Sequence, residues 1–170
     1  MPFLTDLEDK QGNAVDEATL KGKIVVLFFS SNWCPACQVF IPHLSVLYET
    51  IQEETQDDSA ASPWQVVYVS SDDSAADCAA YMNKKHADWL RIRYDSPLRQ
   101  ALKQKYGVFA GREQGDFPGT TRKSGIPSLV VIGYDGEEKA LVDCDSPAVL
   151  KEIQSKGVAF LDAWKPHAWL

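Results

Sequence analysis

The run "IVVLFF", Ile24 to Phe29, constrains this chain more than any other stretch. It is unbroken in apolar, β-branched and aromatic residues, with "LKGK" before it and "SSN" after it. A strand with one wet face alternates apolar and polar residues, so a run without alternation belongs to a strand covered on both faces. Helices must therefore lie on two sides of a sheet. A second such run, "WQVVYVSS", spans Trp64 to Ser71, and a third, "IPSLVVIG", is opened by Pro127. Between the first two, Val39, Phe40, Leu44, Leu47, Tyr48 and Ile51 recur at helical spacing. They predict a helix from about Cys34 to Glu54, kinked at Pro42.

The polar stretch "TQDDSAASP" reads as a loop. Asp72, Asp73 or Ser74 can cap a helix running to about His86. "WLRIRY" is a short extended piece leading into a helix from about Pro97 to Tyr106, and "GVFAGREQGDFPGTTRKSG" is too glycine-rich and polar for regular structure. Asp135-Gly136 turns a hairpin from "IPSLVVIG" into "KALVDC", and a last helix runs from about Pro147 to Trp164. This order predicts an α/β fold with a central mixed sheet and helices on both faces. Right-handed crossovers make the first two long strands parallel neighbours. Cys34 then falls at the carboxyl end of a central strand, where open α/β sheets hold their sites.

The chain has 170 residues, the size of one domain with a real core. Its net charge of −7, with no cluster of lysine or arginine to offset it, argues against nucleic acid and against anionic membrane. Glu53, Glu54, Asp57 and Asp58 read as a solvated helix end. The start, "MPFLTDLEDKQGN", lacks the apolar core of a signal peptide, and no apolar run is long enough to span a membrane. These features predict a soluble protein in a reducing compartment, the cytoplasm and also the nucleus being the places to look. There a close cysteine pair is read as catalytic or metal-binding before structural.

Four cysteines are present: Cys34 and Cys37 in "WCPAC", with Cys78 and Cys144 far apart from them. A structural zinc site needs four ligands, usually as two close pairs, whereas Cys78, Cys144, His43, His86 and His167 are scattered singly. A permanent Cys34–Cys37 disulfide closes too small a loop to stabilise much. A reactive dithiol has positive physics behind it. Where a strand ends and a helix begins, unpaired N–H groups and the positive end of the helix dipole favour thiolate over thiol. A thiol lowered to near 7 is about half ionised at neutral pH, roughly tenfold more than an ordinary one. Cys37 lies one helical turn on and can attack a mixed disulfide formed at Cys34. Pro35 suits the first helical turn because it has no N–H to leave unpaired. Trp33 can shield the thiolate or serve as a core aromatic. Cys78 and Cys144 read as buried small residues, and His43 as a surface residue.

"FFSSNWCPACQVFIPHL" resembles the active-site strand and helix of the thioredoxin superfamily, and more narrowly its tryparedoxin/nucleoredoxin branch. "VVYVSSDDS", "WLRIRYDSPLRQALKQKYGV" and "GIPSLVVIGYDGE" follow in the family's order. The resemblance implies a single thioredoxin-fold domain over 1–170 and a disulfide reductase needing no cofactor. It makes Cys34 the exposed attacking thiol, Cys37 the resolving thiol, and Trp33 and Pro35 their tuning neighbours. Pro127, after Ile126, matches the family's cis-proline, beside which a substrate backbone pairs with the adjacent residue. Three departures stand out. Phe28 occupies the position of the buried aspartate that takes the resolving cysteine's proton, leaving that role vacant or passing it to Asp72 or a water. Ser71 stands where tryparedoxins carry tryptophan, which leans toward the nucleoredoxin-like side. An insertion at about 109–124, with Arg112, Arg122 and Lys123, precedes the cis-proline strand, either shaping partner choice or forming a tolerated surface excursion.

Two functions follow. One is a protein-disulfide reductase, monomeric, regenerated by trypanothione, glutathione or thioredoxin reductase. The other is a redox-controlled binding module that uses the same dithiol as a switch. A peroxidase of the peroxiredoxin type fits less well, since Ser31 before Trp33-Cys34 does not match its Thr-x-x-Cys setting.

Overall fold

The computed structural model describes residues 3–55 and 62–170. The polar loop expected from Thr55 to Pro63 lies mostly outside them, as do Asp57 and Asp58. Among the described residues the strands and α-helices are β1 (Leu7–Glu8), β2 (Ala14–Val15), β3 (Ile24–Ser30), α1 (Pro35–Thr55), β4 (Trp64–Ser70), α2 (Ala75–Lys85), β5 (Leu90–Ile92), α3 (Pro97–Tyr106), β6 (Ser128–Ile132), β7 (Glu138–Asp143) and α4 (Pro147–Lys156). The seven strands form one mixed sheet in the order β2-β1-β5-β4-β3-β6-β7. β3 pairs in parallel with β4, and β6 pairs antiparallel on its other side.

The unbroken apolar run divides by parity, as a doubly covered strand must. Val26 and Phe28 turn to one face with Val66, Tyr68, Leu129 and Val131, against α1, α2 and Ile153 of α4. Val25, Leu27 and Phe29 turn to the other with Val67, Val69 and Val130, against Leu102 and Tyr106 of α3 and Trp169. All seven residues of β3 and of β4 are buried. α1 continues through Pro42, burying Phe40, Ile41, Leu44, Leu47, Tyr48 and Ile51. Of the three candidate caps for α2, Ser74 is the one used: its hydroxyl accepts from the Asp77 N–H at 3.0 Å. α3 spans Pro97–Tyr106 as expected.

Two expectations need correction, and two short strands carry no sequence signal. The two-residue strands β1 and β2 extend the sheet beyond β5 and carry too few residues for a periodic signal. The last α-helix stops at Lys156, where Gly157 at φ 52° ends it, and a 3-10 helix continues over Gly157–His167. Segment 109–124 is not without structure. It holds a 3-10 turn, Gly111–Asp116, packs Phe109 on Phe117 with ring centres 4.6 Å apart, and bridges Val108 to Ser124. Its return crosses Gly107, where a Cβ would meet the Thr121 carbonyl at 2.7 Å. Glycine is thus required at that crossing.

Candidate dithiol site

β3 ends at Ser30, and after four intervening residues α1 begins with Pro35. Cys34 therefore stands at the N-cap of α1, its carbonyl taking the first helical hydrogen bond from the Gln38 N–H at 3.1 Å. The turn before it is shaped by polar contacts. Asp72 Oδ1 accepts the Asn32 N–H at 2.7 Å, Gln38 Nε2 donates to the Asn32 carbonyl at 2.7 Å, and Ser31 Oγ accepts the Trp33 N–H. The Cys34 sulfur takes the place of a capping oxygen, accepting the Cys37 N–H at 3.3 Å. Pro35 sits at N1, where a missing N–H costs nothing.

This geometry brings Cys34 down to about 7 from an ordinary 9.0. The largest cause is hydrogen bonding from the Cys37 thiol; the N–H groups of Cys37 and Ala36 add to it, while desolvation and the nearby Asp145 act against it. Cys37 moves the opposite way, pushed far up by burial and then by its bond to Cys34, with the Ser30 hydroxyl in partial opposition. The two thiols are thus separated into one that ionises and one that keeps its proton. Burial raises Cys78 to about 11 and lifts Cys144 further still.

Cys34 is 5% exposed, less than the resemblance implies for an attacking thiol. The reason is its orientation, with the sulfur turned toward the helix N–H groups and lying 3.8 Å from the Ile126 carbonyl. The Ile126–Pro127 peptide bond is cis. Cys34, Cys37, Ile126 and Pro127 are accordingly together, although 92 positions separate Cys34 from Ile126. Trp33 is partly buried and donates its Nε1–H to the Ser71 carbonyl at 2.8 Å. It belongs to the rim and not to the core.

Phe28 is fully buried among Phe40, Tyr68, His86 and Trp89. The carboxylate of Asp72 is engaged elsewhere: Tyr68 and Ser70 donate to Oδ2, each at 2.7 Å, and Asn32 to Oδ1. Apart from Cys34, the polar groups that act on the Cys37 sulfur are the Ser30 hydroxyl, 3.2 Å from that of Tyr81, and the Ser31 backbone. Among the described residues, no group of three or more His, Cys, Asp or Glu side chains could hold a metal ion.

Of the three basic residues in segment 109–124, Arg112 lies against Trp33, while Arg122 and Lys123 line a cleft with Ile126 and Asp145. The Arg112 guanidinium lies over the Trp33 ring, 3.4 Å from its centre. Arg122 donates to the Phe109 carbonyl and Lys123 pairs with Glu138. Glu113 fastens the segment down, accepting from Ser71 Oγ, the Ala110 N–H and the fully buried Lys103. The sequence signal for Glu113 is faint, a carboxylate three residues beyond the residue that opens a turn. For Ser30 it is only the polar end of a buried run.

A family model described as thioredoxin-like matches residues 22–138. Tryparedoxin from Trypanosoma brucei brucei is 35% identical over 135 residues, covering 79% of this chain and 77% of that protein. Mouse nucleoredoxin is 28% identical over 127 residues, 74% of this chain but 24% of its own length, so the chain spans about a quarter of that relative. Among solved structures, thioredoxin from Wuchereria bancrofti superposes with a TM-score of 0.66 at 30% identity, covering 96% of this chain and 99% of that one. Tryparedoxin from Trypanosoma brucei gives 0.65 at 23% identity, over 96% and 94%. The fold is thus the thioredoxin fold, and no helix among the described residues is long and apolar enough to cross a membrane. With its cysteine pair at the strand–helix junction and these relatives on either hand, the chain belongs to the thioredoxin-like oxidoreductase family, in its tryparedoxin/nucleoredoxin branch.

Proposed function

We propose that the protein reduces protein disulfides through Cys34 and Cys37, as one thioredoxin-like domain carrying an insertion at 109–124. The observation that carries this reading is the capped sulfur: Cys34 sits near 7 beside a Cys37 that retains its proton. The Cys34 thiolate attacks one sulfur of the substrate disulfide, and the other sulfur leaves as a thiolate and takes a proton from solvent. Cys37 then attacks Cys34 within the mixed disulfide, its proton passing to the second departing thiolate. The substrate leaves as a dithiol and the enzyme as the Cys34–Cys37 disulfide. An external two-electron donor restores the pair, so no bound cofactor is needed. Ile126, beside cis-Pro127 and with its carbonyl near the sulfur, would pair with the substrate backbone, while Trp33 and Pro35 shape the approach.

Trypanothione, glutathione and thioredoxin reductase are the donors to test, and a tryparedoxin II structure in complex with glutathionylspermidine supports a thiol donor by analogy. We place the protein as a monomer in the cytoplasm, with the nucleus as a second location suggested by the nucleoredoxin relatives. Insulin reduction should proceed with wild type and be abolished in Cys34→Ser, and Cys37→Ser should accumulate mixed disulfides. Wild-type activity in Cys34→Ser would refute the reading. The low exposure of Cys34 favours one alternative, a redox-controlled binding module with slow turnover. It requires a partner whose binding differs between oxidised and reduced protein.

A further inference from the structure

Charge is unevenly placed around the dithiol. On one side, Arg112 spreads its guanidinium on the ring of Trp33, the residue before Cys34. Stacking fixes the plane of the group, so its donors point outward around the edge. Among the described residues Arg112 makes one side-chain hydrogen bond, from Nη2 to Asp73 Oδ1 at 2.8 Å, and that pair is 51% and 69% exposed. A guanidinium carries five N–H donors in a fixed fork, so most of this fork stays open to a ligand. Beside Ile126 a separate cleft is lined by Arg122, Lys123, Asp143 and Asp145, where charges of both signs meet.

The placement of Arg112 is built and not incidental. Glu113, its neighbour, accepts from Ser71 Oγ at 2.7 Å, from the Ala110 N–H at 2.9 Å and from Lys103 Nζ at 2.7 Å. Ser71 is also the residue whose carbonyl holds the Trp33 indole. One short turn thus ties the guanidinium and the aromatic ring beneath it to the same point of the sheet.

We propose that Arg112 is a specificity-determining residue of this site: it seats a carboxylate carried beside the disulfide of the substrate, so that anionic disulfides are reduced in preference to neutral or cationic ones. Guanidinium and carboxylate match in a paired, planar fork, and a flat stacked guanidinium is already oriented for it. Asp73 holds part of that fork until the substrate carboxylate arrives. The inference rests on the disulfide-reductase reading.

The test measures kcat/KM for glutathione disulfide, which carries carboxylates, for bis(2-hydroxyethyl) disulfide, which is neutral, and for cystamine, which is cationic. A peptide disulfide with Glu or Gln beside its cysteine forms a second arm. Arg112→Gln should lower the value for glutathione disulfide about fivefold, as for an exposed charge-assisted pair, and leave the neutral compound within about twofold. Arg112→Lys should recover part of the loss, and the preference should fade as salt rises. Asp73→Asn should act with the opposite sign, raising the rate on the anionic substrate by freeing the fork. A charge effect confined to the Glu peptide identifies a protein disulfide as the source of the carboxylate, and one confined to glutathione identifies the small peptide; either supports the proposal. Equal loss on all the disulfides, or none on any, overturns it while leaving the reductase reading intact. If wild type reduces insulin but none of these, the proposal falls and the reductase reading stands; if it reduces neither, both fall.

Discussion

Replacing Cys37 with alanine should weaken the nucleophile it stands behind. Cys34 sits at about 7 chiefly because the Cys37 thiol donates to its sulfur, with two backbone N–H groups adding to the effect. Cys37→Ala removes the first contribution and leaves the N–H groups in place. Cys34 should therefore rise by about one unit, a loss of about 1.4 kcal/mol in the preference for thiolate. At pH 7 the ionised fraction would fall from about one half to about one tenth, and alkylation would slow about fivefold. Cys37→Ser keeps an O–H donor in the same place and should leave Cys34 within about half a unit of wild type. The assay is the rate of iodoacetamide alkylation at Cys34 from about pH 5 to about pH 10, with mass spectrometry to locate the adduct. An alanine variant that titrates like wild type would show that the backbone alone holds the thiolate. A serine variant that follows alanine would show that the side-chain donor is not the cause.

Phe28→Ala should cost about 3–5 kcal/mol in chemical denaturation, because a fully buried ring leaves a cavity among four aromatic neighbours. Glu113→Gln strands the fully buried Lys103 ammonium and should lower stability by about 3 kcal/mol, whereas combining it with Lys103→Met should recover most of that in the denaturant midpoint. His86 is held well below its ordinary 6.5 by burial and by Lys10, and its Nδ1 accepts the Trp89 indole N–H at 2.9 Å. The unfolded chain protonates there below 6.5 while the folded chain does not, so this contribution is full above 6.5 and is lost as pH falls below it. Wild type should lose stability on acidification more steeply than His86→Gln, by up to about 1.4 kcal/mol per pH unit. Equal slopes would show that His86 carries no such linkage.

The core of the fold is legible in the sequence because its strands are buried on both faces and announce themselves as unbroken apolar runs. The N-terminal β1 and β2 are not legible, since two residues have no period: β2 pairs locally with β1, and β1 is placed on the sheet by contacts 83 or more residues away, such as Arg91 with Glu8. The dithiol is legible from spacing and from its place at a strand–helix junction. Its burial is not, because the orientation of the sulfur depends on Ile126, far along the chain. The same holds for Arg112. Its charge is visible in the sequence, but its seat on Trp33 depends on the hold that Ser71 and Lys103 have on Glu113.

The split between the two thiols bears on damage as well as turnover. Of the four cysteines, all buried, a peroxide that reached them would find one thiolate, Cys34, since Cys37, Cys78 and Cys144 hold their protons. Oxidation of Cys34 gives a sulfenic acid, whose further oxidation is irreversible. With Cys37 one helical turn away, that acid condenses with the waiting thiol, releasing water and closing the pair. On the proposed mechanism, the neighbour that would complete each turnover would thus also guard the attacking sulfur against permanent loss.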